Sequence, residues 1–272
     1  MCTSCLFSSI VRQVRKAMSS YPIIKRREKA LYIVRSDRPK VSLEALRILQ
    51  RATRGLEIDL YVLYVVFGTY EPIATEDLDE WIKSYGIKHN VIVVRMDYVP
   101  KSFIEYVKLL EVLARIEATK LGLDVVISPL FRDELVFLSF IGLLKLENHV
   151  FGEIMPVKMS GSSPRISRPF FYVLGIDVEV LSYLSPRQVA VRSEDILYPF
   201  NEEDIAFLTH FVRVVTTSIE LLYSYTKSVE LIQSYVIGSL KRCRYCLAPS
   251  NTDPCPYCAR FEELGLDLKT LA

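Results

Sequence analysis

Cysteine is absent from the long central part of this chain. The sequence has six cysteines in 272 residues, and none lies between Cys5 and Cys243. Iron–sulfur clusters and persulfide carriers need thiolates, which this central part cannot supply. The central part of the chain therefore holds neither, and the thiol chemistry of the protein is confined to the two ends.

Long apolar runs are also missing. The longest apolar stretches, residues 60–67 and 135–144, are too short to span a bilayer, and no apolar leader follows Met1. We expect a cytoplasmic protein without a signal peptide or membrane span. Apolar residues make up 50% of the chain, which is enough for one large α/β domain and a small module.

Glycine is missing from a loop between a predicted strand (residues 30–34) and a predicted helix (41–50). In α/β proteins such a loop commonly binds phosphate through glycines and free N–H groups. Here Pro39 removes one donor, and Asp37 would repel a phosphate about 4 Å away by roughly 4 kcal/mol at an effective dielectric of 20. We interpret the loop as a degenerate nucleotide site at which ATP binding is not expected; its residues are Arg35, Ser36, Asp37, Arg38 and Lys40.

Strand and helix patterns alternate through the first half of the chain. Strands are predicted at residues 30–34, 57–67, 90–96 and 124–128, and helices at 41–50, 75–85 and 102–121. This alternation is typical of a doubly wound, mostly parallel α/β sheet with right-handed crossovers. We predict four regions: an N-terminal Cys-x-x-Cys and basic helix (1–28), the α/β domain (29–200), a helical region (201–240) and a zinc module with a tail (241–272).

Two Cys-x-x-Cys pairs, eight residues apart, form the strongest motif. Cys243 and Cys246 make the first pair, and Cys255 and Cys258 the second. This spacing suits tetrahedral Zn²⁺, whereas a pair of disulfides is disfavoured by the cytosolic composition. Four thiolates leave no open coordination position, so we predict a structural zinc ion.

A further Cys-x-x-Cys pair, Cys2 and Cys5, opens the chain. Tetrahedral zinc would need two more ligands. Three interpretations stay open: an unpaired remnant, a redox pair, and half of a metal site shared with another chain or with the C-terminal module.

Basic residues concentrate at both ends. Residues 1–29 carry a net charge of +6 and residues 241–260 carry +3, although the whole chain carries only +2. The alternatives are a polyanion site, if the ends meet in space, and two separate solvated faces. The candidate RNA-binding residues are Arg12, Arg15, Lys16, Lys25, Arg26, Arg27, Arg242 and Arg244, with Arg165, Arg168 and Arg187 as further candidates.

Residues 7–43, with a basic helix, a Tyr21-Pro22-Ile23-Ile24 link, a strand and a helix, resemble the opening of the PP-loop ATP pyrophosphatases that thiolate tRNA, the TtcA/TtuA-like family. The resemblance implies an adenine nucleotide alpha hydrolase-like fold. In that family the first loop reads Ser-Gly-Gly-x-Asp-Ser, and residues 35–42 keep neither the glycine pair nor the aspartate. A second family loop, Gly-His-Asn-x-Asp-Asp, corresponds to residues 128–134, where Asp133 and Glu134 remain.

The family's sulfur chemistry is also missing. Its TtuA-like members hold an iron–sulfur cluster with a Cys-x-x-Cys and a Cys-Pro-Tyr turn, and Tyr198-Pro199-Phe200 stands where that turn would be. The resemblance therefore implies that this protein has no iron–sulfur cluster. The C-terminal double Cys-x-x-Cys is similar to the family's own. The resemblance implies that this module lies beside the N-terminal helix, forming one basic face with Tyr245 and Tyr257 free to stack on RNA bases.

The resemblance implies a catalytically degenerate homologue of the tRNA 2-thiouridine synthetases, similar in kind to the non-catalytic subunit of the cytoplasmic tRNA thiolation complex. Such a chain would bind tRNA or stabilise a catalytic paralogue, as a heterodimer or a self-dimer, with a ubiquitin-like sulfur carrier as another partner.

Two alternatives belong to other functional classes. In the first, the chain is an ATP-dependent enzyme in which Arg35, Arg38 and Lys40 hold the nucleotide by charge and Asp133 binds magnesium. In the second, it is a stand-alone zinc protein that binds RNA without a partner.

Overall fold

The computed structural model describes residues 2–68, 71–87, 91–158, 164–185, 202–217 and 241–271, together with positions 220, 224, 227, 228 and 231. Its first half contains α1 (Thr3–Ser20), β1 (Lys29–Val34), α2 (Pro39–Ala52), β2 (Asp59–Phe67), α3 (Thr75–Ser84), β3 (Val91–Met96), α4 (Phe103–Lys120), β4 (Val125–Ile127) and α5 (Arg132–Leu144).

The second half is built from shorter elements. They are a 3₁₀ turn (Asn148–Gly152), β5 (Val157–Lys158), β6 (Arg165–Ser167), α6 (Gly175–Leu184), α7 (Glu202–Thr217), β7 (Lys241–Arg242), β8 (Pro249–Ser250), α8 (Pro256–Glu263) and a last 3₁₀ turn (Leu268–Leu271). The rest of the predicted 201–240 helical region is described only at isolated positions. Arg187 and Tyr198-Pro199-Phe200 lie outside the described residues.

Six strands form one sheet in the order β3-β2-β1-β4-β6-β5, and only the edge pair β5–β6 is antiparallel. The predicted doubly wound, mostly parallel sheet is therefore confirmed. Strand β1 lies at its centre, pairing in parallel with β2 on one side and β4 on the other, and Ala30 is opposite both Leu60 and Val125. From β1 the chain adds β2 and β3 on one side of the sheet and then returns to add β4 on the other side of β1. At such a switch point, between β1 and β4, open α/β sheets form a crevice.

Successive residues of β1 point to opposite faces of the sheet, as the pleat requires. Leu31 and Ile33 belong to one core cluster, which also contains α4 and the four C-terminal cysteines. We call this the metal-side core. Tyr32 and Val34 belong to the other cluster, the α1-side core, which contains the buried faces of α1, α2 and α6.

The helices carry the apolar stripes and end signals that these two cores require. Helix α4 begins after Ser102, whose Oγ accepts the Glu105 N–H at 3.2 Å, and almost every residue of α4 is buried. Helix α1 instead buries a single stripe, which includes Ile10 and Val14. Among the described residues, no helix is both long and apolar enough to cross a membrane.

Candidate functional site

The crevice at the switch point is bounded by two loops. Residues 35–38 connect β1 to α2, and residues 128–131 connect β4 to α5. Both loops follow the carboxyl ends of neighbouring parallel strands, which is the position of ligand sites in this class of sheet. The sequence placed its degenerate nucleotide loop at this point, and the structure brings three of the predicted residues together there, Arg35, Asp37 and Arg38. Ser36 is buried in the same loop, and Lys40 lies in the first turn of α2.

Arg35 fills the centre of the crevice and is only 1% exposed. Its Nε and Nη2 donate to the two carboxylate oxygens of Asp37 at 3.0 and 2.8 Å. Its Nη1 donates to Glu134 Oε2 at 2.7 Å and to the Pro129 carbonyl oxygen at 3.4 Å. The guanidinium is therefore held between the two loops by two buried carboxylates, a geometry in which charge-assisted hydrogen bonds are strong.

A second arginine extends the same network toward α6. Arg38 Nη1 lies 3.4 Å from Glu134 Oε1, and its Nη2 donates to Glu179 Oε2 at 2.6 Å. Together with Arg35 and Asp37 these groups form what we call the crevice network: Arg35, Asp37, Arg38, Glu134 and Glu179. The five ion-paired residues carry a net charge of −1.

The loop backbone is also turned inward. The Arg35 N–H donates to Ser42 Oγ at 3.2 Å, and the Tyr32 hydroxyl donates to the Ser42 carbonyl oxygen at 2.6 Å. Pro39 occupies the first position of α2 and has no N–H to offer. The Arg35 N–H is therefore used within the protein, and position 39 offers no donor to a phosphate.

Sequence reasoning missed two members of this site. Tyr106 on α4 is buried and donates its hydroxyl to Asp37 Oδ1, and Glu179 comes from α6. Nothing in the local sequence distinguishes them from the other residues of their helices. Glu134 was visible in the sequence, because it forms with Asp133 the acidic pair that follows β4.

Asp133 points away from the crevice network. Its Oδ1 accepts the N–H of Gly175, the first residue of α6, at 2.8 Å, and a Cβ at Gly175 would lie 3.0 Å from Oδ2. Burial, and then repulsion from Glu134, raises the pKa of Asp133 to about 6. This carboxyl fixes the start of α6, so a magnesium-binding role has no support from its contacts.

The raised pKa makes a prediction for Asp133→Asn. The unfolded carboxyl titrates near 3.8, so between about pH 4 and 6 the native state binds more protons, and this group's contribution to stability falls as pH rises through that window. Asparagine keeps an acceptor for the Gly175 N–H. We therefore expect the free energy of unfolding of the variant to be roughly 1–3 kcal/mol higher than that of wild type at pH 7, with little difference near pH 4. Urea unfolding at both pH values measures this.

The exposed Asp267→Asn change is the matched control and should alter stability by a few tenths of a kcal/mol at either pH. An Asp133→Asn protein less stable than wild type at pH 7 would contradict the prediction.

The four C-terminal cysteines form a candidate metal centre. Their Sγ atoms all lie within 4.8 Å of one another, and those of Cys246 and Cys255 are 3.6 Å apart. The turn that carries Cys243 and Cys246, the first knuckle, is closed by two backbone hydrogen bonds of 2.9 Å. The Cys243 N–H donates to the Ala248 carbonyl oxygen, and the Leu247 N–H donates to the Cys243 carbonyl oxygen. The second pair brackets the start of α8. All four thiols are buried, as metal-ligating cysteines usually are.

The first Cys-x-x-Cys pair lies elsewhere. Cys2 and Cys5 are exposed at the start of α1, with their Sγ atoms 3.1 Å apart. Helix α1 packs on α2 and α6, whereas the four-cysteine centre packs on α4. The structure thus does not bring these two thiols to the C-terminal centre.

The implied single basic face is not formed by the described residues, because α1 and the four-cysteine module lie on opposite faces of the sheet. Tyr245 is buried and donates its hydroxyl to Glu262 at 2.6 Å, and the Tyr257 hydroxyl donates to Glu147 at 3.3 Å. The stacking role expected for Tyr245 is wrong, because its ring is buried, whereas Tyr257 is half-buried against the metal-side core.

Several candidate RNA contacts are hydrogen-bonded or ion-paired to other groups of the chain. Arg15 donates to the Ala52 and Arg51 carbonyl oxygens at the end of α2, and Arg168 is completely buried. Arg26 and Arg27 pair with Glu57, Arg165 with Glu28, and Arg244 with Asp253. The candidates Arg12, Lys16, Lys25 and Arg242 are exposed.

No protein family matches this sequence, and no curated protein matches it. Solved structures do. The chain is similar to U34-tRNA thiolase NcsA from Methanococcus maripaludis with its [4Fe–4S] cluster, at 15% identity and a TM-score of 0.71, covering 98% of this chain and 90% of that one. An NH₃-dependent NAD synthetase from Campylobacter jejuni, in complex with the nitrate ion, gives 11% identity, a TM-score of 0.38, and coverage of 89% and 98%.

The NcsA structure corrects the cofactor prediction. We predicted structural zinc and no iron–sulfur cluster, but the similar protein carries a [4Fe–4S] cluster. Four cysteine thiolates are also the ligand set of such clusters, so this centre fits an iron–sulfur cluster at least as well as zinc. The absence of cysteine from the central part of the chain does not exclude a cluster held by the four cysteines near its C-terminal end.

The likeness to NcsA extends over nearly the whole chain, but at this identity it concerns the fold alone. The chain therefore has the PP-loop fold, a mostly parallel six-stranded sheet with helices, together with a C-terminal cluster of four cysteines that could bind a metal.

Proposed function

We propose that this chain is a non-catalytic relative of the tRNA 2-thiolation enzymes, which binds tRNA and stabilises a catalytic paralogue. One observation carries the non-catalytic part: Arg35 and its two carboxylate partners occupy the crevice in which a PP-loop protein would place its nucleotide. The fold shared with the thiolase NcsA supports the link to tRNA thiolation.

Electrostatics argues against a triphosphate in this crevice. The crevice network carries a net charge of −1, and both of its arginines are already paired with carboxylates. An entering phosphate would have to displace Asp37 or Glu134, leaving a buried carboxylate without its partner at a cost of several kcal/mol. The alternative in which Arg35 and Arg38 hold a nucleotide by charge requires that displacement.

Calorimetric titration of the full chain with Mg–ATP tests the non-catalytic part. We expect no binding tighter than about 1 mM, which corresponds to roughly −4 kcal/mol. Binding in the micromolar range that disappears in Arg38→Ala would overturn the proposal and favour the enzyme.

The tRNA part is supported by exposed cations on α1. Arg12 and Lys16 lie on the solvent side of this helix, whereas Arg15 is engaged with the end of α2. Each cation that neutralises a phosphate contributes about one unit to the salt dependence of binding. A variant with Arg12→Ala and Lys16→Ala should therefore bind tRNA more weakly at low salt, with a salt slope reduced by about 2, so that the difference from wild type shrinks as the salt concentration rises.

Fluorescence anisotropy with labelled tRNA measures this effect. Lys83→Ala, an exposed lysine of α3 that is paired with Asp79 and is not among the candidate RNA contacts, is the matched control and should change binding little. Equal binding by wild type and the double variant would show that α1 is not the tRNA surface.

A further inference from the structure

A second group of buried charges lies under the four-cysteine centre. It contains Lys108 and Glu111 of α4, Glu153, Lys158 of β5, and Arg168, none of them more than 5% exposed. We call these five residues the charged floor. Lys108 Nζ donates to Glu153 Oε1 at 2.6 Å, Lys158 Nζ to Glu111 Oε2 at 2.9 Å, and Arg168 Nη2 to Glu111 Oε1 at 2.6 Å.

The charged floor has more cations than carboxylates. Lys158 and Arg168 each contact both Glu111 and Glu153. Within the charged floor, Lys108 is paired with Glu153. Three cations thus face two carboxylates, so these five described residues have one positive charge in surplus. A buried charge without a counter-charge destabilises a protein by several kcal/mol, so the surplus should face an anion.

The four-cysteine centre is the neighbouring group able to supply that anion. Lys108 Nζ lies 4.0 Å from Cys246 Sγ and 5.7 Å from the centre of the Tyr257 ring. Protonated thiols are neutral and would leave the surplus in place. Four thiolates around a divalent ion, or around a [4Fe–4S] core of charge +2, carry a net charge of −2.

Arg115 adds to this pattern from the same helix. It lies two turns after Lys108, is buried, and donates Nη1 to the carbonyl oxygen of Tyr245, between the two cysteines of the first knuckle. The face of α4 beneath the centre thus presents positive charge to the thiolates.

We propose that Lys108 is the buried counter-charge of the metal-loaded four-cysteine centre, and that this pairing couples metal binding to the docking of the C-terminal module on α4. Lys108 is a positioning residue, since it contacts a ligand atom and not the metal. Because Lys108 belongs to α4 and Cys246 to the C-terminal module, a negatively charged metal centre favours docking of the module, and docking in turn favours metal loading.

The test is the metal affinity of the metal-free, reduced full chain, with Co²⁺ as an absorbing probe. Lys108→Met removes the surplus charge while keeping a similar length. We expect it to weaken Co²⁺ binding about tenfold to a hundredfold, the usual effect of losing an outer-shell partner. It should also reduce the rise in melting temperature that Co²⁺ produces, without lowering the melting temperature of the metal-free protein.

Two further variants make the result decisive. Lys120→Met changes an exposed lysine at the end of α4 and should leave Co²⁺ affinity unchanged. Lys108→Gln keeps a donor for Glu153 without the charge, so it should weaken Co²⁺ binding as Lys108→Met does. Affinities of both Lys108 variants within about twofold of wild type would overturn the proposal. So would failure of both to fold with metal bound, because Lys108 would then serve the core itself.

Discussion

Replacing Cys258 with serine is expected to unfold the C-terminal module and to destabilise the metal-side core. Cys258 is 1% exposed and lies in the same apolar cluster as Phe261, Leu268 and the buried face of α4. The substitution removes one of four metal ligands and leaves a buried hydroxyl. Structural metal sites in isolated zinc-finger peptides contribute on the order of 10 kcal/mol to folding, so we expect a loss of several kcal/mol here.

Thermal unfolding followed by circular dichroism, with limited proteolysis of residues 241–271, measures this effect. Chelation of the metal from the wild-type protein should reproduce it. Cys5→Ser is the matched control, because Cys5 is exposed on α1 and should change stability by less than about 0.5 kcal/mol. A Cys258→Ser protein as stable and as protease-resistant as wild type would contradict the prediction. Elemental and acid-labile sulfide analysis of the same samples identifies the metal.

Replacing Arg35 with methionine should destabilise the protein by about 3–5 kcal/mol. The substitution leaves the buried carboxylates of Asp37 and Glu134 without their shared partner, and breaking a buried ion pair on one side has this cost. Although burial raises the pKa of Glu134, the Arg35 guanidinium holds it below its usual value, so losing Arg35 lets this carboxyl take up a proton more readily and the loss should be smaller at low pH. Chemical denaturation of both proteins at about pH 4 and pH 7 measures it.

Two comparisons separate this effect from general damage. Arg95→Met removes an exposed arginine paired with Glu71 and should cost less than about 1 kcal/mol. Adding Asp37→Asn and Glu134→Gln to Arg35→Met removes the stranded charges and should recover part of the loss. An Arg35→Met protein no less stable than the Arg95→Met control would show that the crevice network does not hold the two loops together.

The order of strands and helices could be predicted from the sequence, because hydrophobic periodicity is a local property. The predicted strand at residues 57–67 is observed as β2 (Asp59–Phe67), and the helix at 102–121 as α4 (Phe103–Lys120). The close approach of Cys243, Cys246, Cys255 and Cys258 could also be predicted, since two short turns eight residues apart bring four thiols together. That spacing does not distinguish a zinc site from an iron–sulfur site, and our prediction of zinc alone was wrong.

The partners of buried charges could not be predicted. Arg35 is joined to Glu134 across 99 positions of the chain, and Lys108 lies 138 positions from Cys246. Pairing at such distances depends on which helices the sheet places next to each other. The same reason explains why the two basic ends were expected to adjoin but lie on opposite faces: net charge says nothing about which side of a sheet a helix covers.

The sequence by itself determined the alternating elements, the loss of glycine from the first loop and the four-thiol centre, because each depends on residues close together in the chain. Only the tertiary structure decided that Arg35 fills the crevice, that Asp133 fixes the start of α6 and that Lys108 lies beside the Cys246 sulfur. Those contacts exist because β1 lies between β2 and β4, which brings distant loops and helices into a space from which water is excluded.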